Sequence, residues 1–107
     1  MDLVRGGVYL ANLNSDSSAD PKYWVVVSNN QRNRSFKDAL VVRVTTTDKY
    51  TELASVVELP AGEVLHGWVR CDNLTTMYDD EPIKLAGHFS VAAMREIEAG
   101  LRATLGM

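Results

Sequence analysis

The chain has 107 residues, of which 46% are hydrophobic and 23% are charged, and this length and composition predict one domain over residues 1–107 around a single core. Its formal net charge is -3, and its one cysteine, Cys71, excludes an internal disulfide and a thiolate metal cluster. No apolar run approaches the ~20 residues of a membrane-spanning helix, and no signal segment follows Met1, so we expect a cytoplasmic protein.

The first half of the chain predicts three strands. Alternating side chains indicate a first strand over Arg5–Leu13, and turn-forming residues make Asn14–Pro21 a loop. Tyr23–Ser28 is apolar at every position but the last, which is typical of a central strand covered on both faces. The polar stretch Asn29–Lys37 has room for one short helical turn, and a third strand is expected over Ala39–Thr46.

The second half predicts shorter strands and one helix. Strands are expected over Ser55–Leu59, Gly67–Asp72 and Leu85–Phe89. Ser90 is placed to cap a terminal helix that ends at Gly106. Four apolar residues share one face of this helix and should pack on the core: Met94, Ile97, Leu101 and Leu105. These elements favour a mainly β fold with a C-terminal helix, as a small, strongly curved sheet or a partly open barrel.

Positive charge is concentrated in one segment of an otherwise acidic chain. Lys22–Lys49 contains six basic residues and two acids, whereas the residues before it sum to -2 and those after it sum to -5. A solvated loop and a surface for an anionic ligand would each explain such a patch. His66 and His88 are isolated, and no carboxylate-histidine spacing indicates a ligand set, so we expect neither a metal site nor a cofactor.

RNA carries its own nucleophile, the ribose 2′-OH, beside every phosphodiester. An enzyme then needs to align that oxygen and to stabilise the charge that grows on the phosphorus. A cation and a hydroxyl on adjoining strands suit this task. Lys22 opens the second predicted strand, and Arg43 and Thr45 share one face of the third. The competing interpretation is that these residues are solvated cations and ordinary strand formers.

Several short segments, in their order and spacing, resemble the MazF/PemK family of toxin endoribonucleases over about residues 4–106. They are Arg5–Tyr9, Ser28–Asn30 with Asn33–Arg34 after it, Val42–Thr45, Leu59–Gly62 and Cys71–Thr76. The resemblance implies an SH3-like barrel, a homodimer, and metal-independent cleavage of single-stranded RNA at a short sequence motif. It also implies attack by the 2′-OH, which leaves a 2′,3′-cyclic phosphate and a 5′-OH, and inhibition by a MazE-like antitoxin with an acidic flexible tail.

The resemblance also assigns roles to residues. The family's catalytic threonine matches Thr45, its arginine at the head of the second strand matches Lys22, and Tyr23 replaces the proline that usually follows. Lysine keeps the charge but lacks the fork that binds two phosphate oxygens, so either Lys22 acts as a point charge and acid, or Arg43 supplies the fork. We expect Lys22 to act with support from Arg43. RNA contacts are expected from seven further residues: Ser17, Ser18, Asn29, Arg32, Arg34, Asp72 and Asn73.

Two alternatives stay open on the sequence. A CcdB-like toxin of the same fold would bind DNA gyrase without cleaving RNA. Its binding would not require a threonine, Thr45, beside cations. A catalytically weak RNA-binding module would result if Lys22 does not replace the family's arginine.

Overall fold

In the computed structural model, residues 2–13 and 20–107 are described, and they form one six-stranded sheet and two helices. The strands are β1 (Gly7–Ala11), β2 (Lys22–Val26), β3 (Asp38–Thr45), β4 (Val56–Glu58), β5 (Trp68–Tyr78) and β6 (Lys84–His88), and the helices are α1 (Asn30–Phe36) and α2 (Val91–Leu105). Neighbouring strands pair antiparallel in the order β4-β5-β3-β2-β1-β6. The predicted mainly β fold with a C-terminal helix is confirmed, and the small barrel is open, with β4 and β6 as edges among the described strands.

The sheet buries apolar side chains on both faces, because successive residues of a strand point to opposite sides. One face packs against α2 in a cluster that includes Val25, Val42 and Ile97. The other face carries a second cluster, with Trp24 and Val41 among its buried members. By the same alternation, the side chains of Lys22, Arg43 and Thr45 lie on this second face, near one end of the strands. A buried apolar surface therefore becomes polar at that end.

Helix α2 begins and ends where its sequence predicts. The Ser90 hydroxyl accepts a hydrogen bond from the Ala93 amide at 3.1 Å, and Gly106 ends the helix at a φ of 71°. Ile97 is fully buried, as the apolar stripe predicts. Leu105 is 57% exposed and belongs to neither core cluster, so its predicted place in the core is wrong. It is the last residue of the helix, and the packing on the sheet does not extend to it.

Three elements differ from the sequence-based expectations in their length. Strand β5 continues to Tyr78, six residues beyond its predicted end at Asp72. Four of the six added residues are polar, so side-chain alternation does not indicate a strand there, but their backbone pairs with β3 and Met77 is fully buried. The predicted single helical turn is α1, a helix of seven residues that is capped by Asn29. Strand β1 is shorter than predicted, since it ends at Ala11.

Candidate active site

Lys22 and Thr45 lie on the same face of the sheet. The register of β2 and β3 pairs Tyr23 with Val44 and Trp24 with Arg43. Its continuation by one residue places Lys22 directly opposite Thr45, and residues directly opposite in a sheet project to the same side. Lys22 is exposed, whereas Thr45 is partly buried.

A cavity of about 160 Å³ opens on this face at the end of β3. We call it the cationic cavity, and its lining consists of three cations, two hydroxyls and one amide: Arg43, Lys49, Arg70, Thr45, Thr47 and Asn73. The predicted residues Arg43, Thr45 and Asn73 are thus brought together. Lys22 is not part of this lining, so its side chain would approach a ligand from the rim.

Arg43 is a partly buried cation whose hydrogen-bonding capacity is incompletely used. Its Nε is buried and has no hydrogen-bond partner among the described residues. Burial lowers the pKa of Arg43, and the like charge of Arg70, which faces it across β3 and β5, lowers that pKa further. A buried donor without a partner is costly and is rare in native proteins. An anion in the cavity would supply a compensating charge for Arg43 and Arg70.

Arg70, by contrast, is held in place by an acid. Its Nε and Nη2 donate to the two carboxylate oxygens of Asp72 at 2.9 and 2.7 Å. These hydrogen bonds lower the pKa of Asp72 and raise the pKa of Arg70. The guanidinium also lies 5.5 Å from the centre of the Tyr50 ring. Arg70 is therefore a fixed positive charge on the cavity wall, whereas Arg43 is the less satisfied of the two arginines.

The Thr45 hydroxyl is oriented by a local hydrogen bond. Its Oγ1 accepts the Thr47 amide at 3.1 Å. A threonine hydroxyl has one proton to donate and two lone pairs, so this bond leaves the proton available for a ligand oxygen. Thr45 can therefore donate a hydrogen bond in the cationic cavity.

A bulge in β5 sets the positions of Asp72 and Asn73. Val42 pairs with Leu74, but the next residue, Arg43, pairs with Arg70. Three residues of β5 thus face no counterpart on β3 at this point. Bulges re-aim side chains and are frequent beside active sites. Arg70 and Asn73 would point to opposite faces of a regular strand, and with this irregularity both line the cavity.

Sequence reasoning missed Thr47, Lys49 and Arg70. Thr47 and Lys49 follow the end of β3, where side-chain alternation no longer predicts which face of the sheet a residue occupies. Arg70 lies in a strand that the sequence predicts, but its pairing opposite Arg43 depends on the register between β3 and β5. The charge excess of the segment ending at Lys49 is one signal that includes Thr47 and Lys49.

Among the described residues, the predicted RNA contacts Asn29, Arg32 and Arg34 do not line the cationic cavity. The Asn29 side chain caps α1 by accepting the Arg32 amide at 2.8 Å, and Arg32 forms an ion pair with Asp38 at 2.7 Å. Arg34 lines a separate cavity beside α1. Asp38 and Arg43 are five residues apart on β3, which is roughly 17 Å of strand. Contacts of these three residues with RNA remain predictions.

Ser17 and Ser18 lie outside the described residues. Within the described ranges, no group of three or more His, Cys, Asp or Glu side chains is placed to hold a metal ion. No helix in the described part of the chain is long and apolar enough to cross a membrane. Cys71 is fully buried, and burial is the main cause that raises the pKa of its thiol to about 12.

Comparison with known proteins gives a consistent result. The model of the family described as PemK-like, MazF-like toxin of type II toxin-antitoxin system matches residues 4–105. Endoribonuclease MazF1 of Mycobacterium bovis and endoribonuclease MazF4 of Mycobacterium tuberculosis are each 35% identical to this chain over 104 residues. Each alignment covers 97% of this chain and 93% of the relative.

Solved structures agree with this relationship. A mycobacterial endoribonuclease in complex with its cognate antitoxin is 35% identical and superposes with a TM-score of 0.86, over 97% of this chain and 95% of that chain. A MazE-MazF structure from Deinococcus radiodurans shares the fold at 18% identity, with a TM-score of 0.82 over 100% of this chain and 99% of that chain. The chain described here therefore belongs to the PemK-like, MazF-like toxins of type II toxin-antitoxin systems.

Proposed function

We propose that this protein is a sequence-specific, metal-independent endoribonuclease toxin that cleaves single-stranded RNA at the cationic cavity. The ribose 2′-oxygen attacks the neighbouring phosphorus and leaves a 2′,3′-cyclic phosphate and a 5′-OH. Two mycobacterial relatives that share 35% of its residues are named endoribonucleases, which supports this activity.

The observation that carries the proposal is that three cations, among them Arg43, line one cavity together with the hydroxyl-bearing Thr45. A phosphodiester is an anion with several acceptor oxygens, so its charge would relieve the repulsion between Arg43 and Arg70. The forked guanidinium of Arg43 can bind two phosphate oxygens at once. Lys49 adds a further positive charge on the cavity wall. The site therefore fits a phosphodiester better than a neutral ligand.

The reaction needs one bond to form and one to break. The 2′-oxygen bonds to phosphorus, and the bond from phosphorus to the 5′-oxygen of the next nucleotide breaks. Arg43 stabilises the charge that develops on the non-bridging oxygens, and Thr45 donates a hydrogen bond to one of them. Lys22, opposite Thr45 on the same face, donates a proton to the leaving 5′-oxygen. The proton of the 2′-OH passes to solvent, because the cavity is open.

Lys22 and Arg43 together replace what a single arginine does elsewhere in the family. Lys22 supplies a flexible point charge and a transferable proton, and Arg43 supplies the planar fork. This division assigns the lysine mainly to the leaving group and Arg43 mainly to phosphate binding. Both residues project from the same face as Thr45.

Recognition of the RNA sequence falls to residues around the cavity that contact unpaired bases, since an A-form duplex hides its base edges. Asn73 lines the cavity and Asp72 neighbours it, so both remain the nearest of the predicted RNA contacts. Asn29, Arg32 and Arg34 lie at the far end of the strands and would contact only a longer RNA.

A MazE-like antitoxin is the expected inhibitor. A mycobacterial relative of 35% identity is found in complex with its cognate antitoxin. An acidic flexible tail would compete with RNA for the cations of the cavity. We further propose that the toxin acts in the cytoplasm as a homodimer, as the family relationship implies.

The proposal is tested with purified protein and a long single-stranded transcript in the presence of a chelator. We expect cleavage at a recurring short motif, with 5′-hydroxyl ends that are mapped by sequencing. Trapped DNA breaks on gyrase together with intact RNA would instead support a CcdB-like toxin. Tight RNA binding without cleavage across a panel of RNAs would support a catalytically weak binding module.

A further inference from the structure

A further cavity, of about 250 Å³, lies on the other side of the end of β3. We call it the apolar slot, and its walls include Tyr23, Val64, Leu65 and His66. Tyr23 and Leu65 also pack against the core cluster beneath α2. The slot is therefore on the α2 side of the sheet, whereas the cationic cavity is on the opposite side. Thr45 borders both cavities.

The slot is held open by the fold itself. Glu63, just before the slot segment, accepts hydrogen bonds from the amide and the hydroxyl of Ser90 at 2.8 and 2.7 Å. Val64 packs so closely on Gly87 that a β-carbon there would lie 2.9 Å from the Val64 Cγ1. These contacts tie the segment to the start of α2 and to β6. A cavity fixed in this way loses little entropy when a ligand binds.

We propose that the apolar slot holds one unpaired nucleobase of the RNA, from a nucleotide next to the cleaved phosphate. This inference rests on the proposed function, because it needs the phosphate to occupy the cationic cavity. A nucleotide joins a charged phosphate to a flat base with apolar faces, and the two cavities that meet at Thr45 offer one environment for each. RNA that passes over the end of β3 thus places its phosphate on one side, its base on the other, and its ribose at Thr45.

The side chains of the slot suit a base in particular. Unpaired bases stack on aromatic and imidazole rings, and the slot offers the ring of Tyr23 and the imidazole of His66. Val64 and Leu65 add apolar contact, while the hydroxyl of Tyr23 and the nitrogens of His66 are able to pair with polar base edges. The slot would therefore contribute to the choice of nucleotide at one position of the cleavage motif.

The test measures binding of RNA that cannot be cut. A short single-stranded RNA is selected from a random pool by its affinity, and its riboses are replaced with 2′-deoxyriboses. Each base is then removed in turn, and the dissociation constants are measured with the whole protein. For one position, we expect loss of the base to weaken binding to the wild-type protein by about tenfold.

Variants then assign that base to the slot. His66 and Val64 are both exposed, so His66→Ala and Val64→Ala should leave the fold intact. We expect each variant to weaken binding of the intact RNA, with little further loss when the critical base is absent. Leu105→Ala, a matched change of an exposed apolar residue at the end of α2, should behave like the wild-type protein.

Two results would overturn the inference, and a third bears on the proposed function alone. An equal effect of base removal on the wild-type protein and on both slot variants, at every position, would overturn the inference. Loss of antitoxin binding by the slot variants, with unchanged RNA binding, would overturn it in favour of a peptide side chain. Absence of RNA cleavage by the wild-type protein would refute the proposed function, yet the binding measurements would still support or overturn the slot.

Discussion

Gly67 packs directly against the backbone of Thr45 at the end of β3. A β-carbon on Gly67 would overlap the carbonyl oxygen of Thr45 and lie 3.2 Å from the Cα of Thr46, and the φ of Gly67 is +120°. The absence of a side chain at Gly67 thus lets the segment before β5 approach the candidate catalytic residue.

Gly67→Ala should therefore destabilise the protein and displace Thr45. We expect the free energy of unfolding to fall by about 2 kcal/mol or more, because the substitution adds both backbone strain and overlap with backbone atoms. Gly62→Ala is the control, since Gly62 also has a positive φ but has open space around its Cα. Chemical denaturation of both variants measures the difference. Equal destabilisation would show that the overlap with Thr45 does not matter.

The Thr45 hydroxyl should be needed for cleavage but not for folding. Thr45→Val removes the hydroxyl at nearly constant volume, and we expect a fall in kcat of about 10²- to 10³-fold, as is typical when one donor to developing charge is lost. Thr45→Ser keeps the hydroxyl and should retain most of the activity. Thr51→Val, at an exposed position, controls for the substitution itself. Full activity of Thr45→Val would remove this hydroxyl from the mechanism.

Lys22 should contribute a charge that arginine is able to replace. Lys22→Ala is expected to lower the cleavage rate by about 10²-fold, because it removes both the point charge and the proposed proton donor. Lys22→Arg keeps the positive charge and adds a planar fork of donors, so it should recover binding of RNA, with a slower release of the leaving group. Lys84→Ala, which removes another exposed lysine at the start of β6, is the control. Cleavage by Lys22→Ala at the wild-type rate would exclude the lysine.

Cys71 should make stability depend on pH in the alkaline range. Its pKa rises from 9.0 to about 12 in the folded protein, mainly through burial. Above pH 9 the unfolded chain loses the thiol proton while the folded protein keeps it, so the free energy of unfolding should fall as pH rises from 9 toward 12. Denaturant unfolding of the wild-type protein and of Cys71→Ala isolates this effect. A parallel pH dependence of the two proteins would contradict it.

The sequence predicts the elements of this fold better than the details of its site. Side-chain alternation and caps are local, so the strands and the ends of α2 are recognisable. The shared face of Arg43 and Thr45 follows from the same alternation. The pairing of Arg43 with Arg70 is not local, because it depends on a shift in register between β3 and β5.

Asn29 shows that the role of a polar residue is difficult to predict from the sequence. Its amide and the cations near it suggest RNA contacts, but the side chain caps α1 and Arg32 pairs with Asp38. Polar residues serve local structure and ligands equally well, and only their position in the fold separates the two uses. The apolar slot is not predictable from the sequence for a similar reason, since Tyr23 and Val64 are far apart in the chain and line one cavity only in the folded protein.

The most direct test of the proposed chemistry uses one short RNA that contains the cleavage motif. A second RNA carries 2′-deoxyribose at the cleaved nucleotide and is otherwise identical. We expect the first RNA to be cut in the presence of a chelator, with a 2′,3′-cyclic phosphate on the upstream product, and the second RNA to bind and stay intact. Cleavage of the deoxy-substituted RNA at the same bond would contradict attack by the 2′-oxygen.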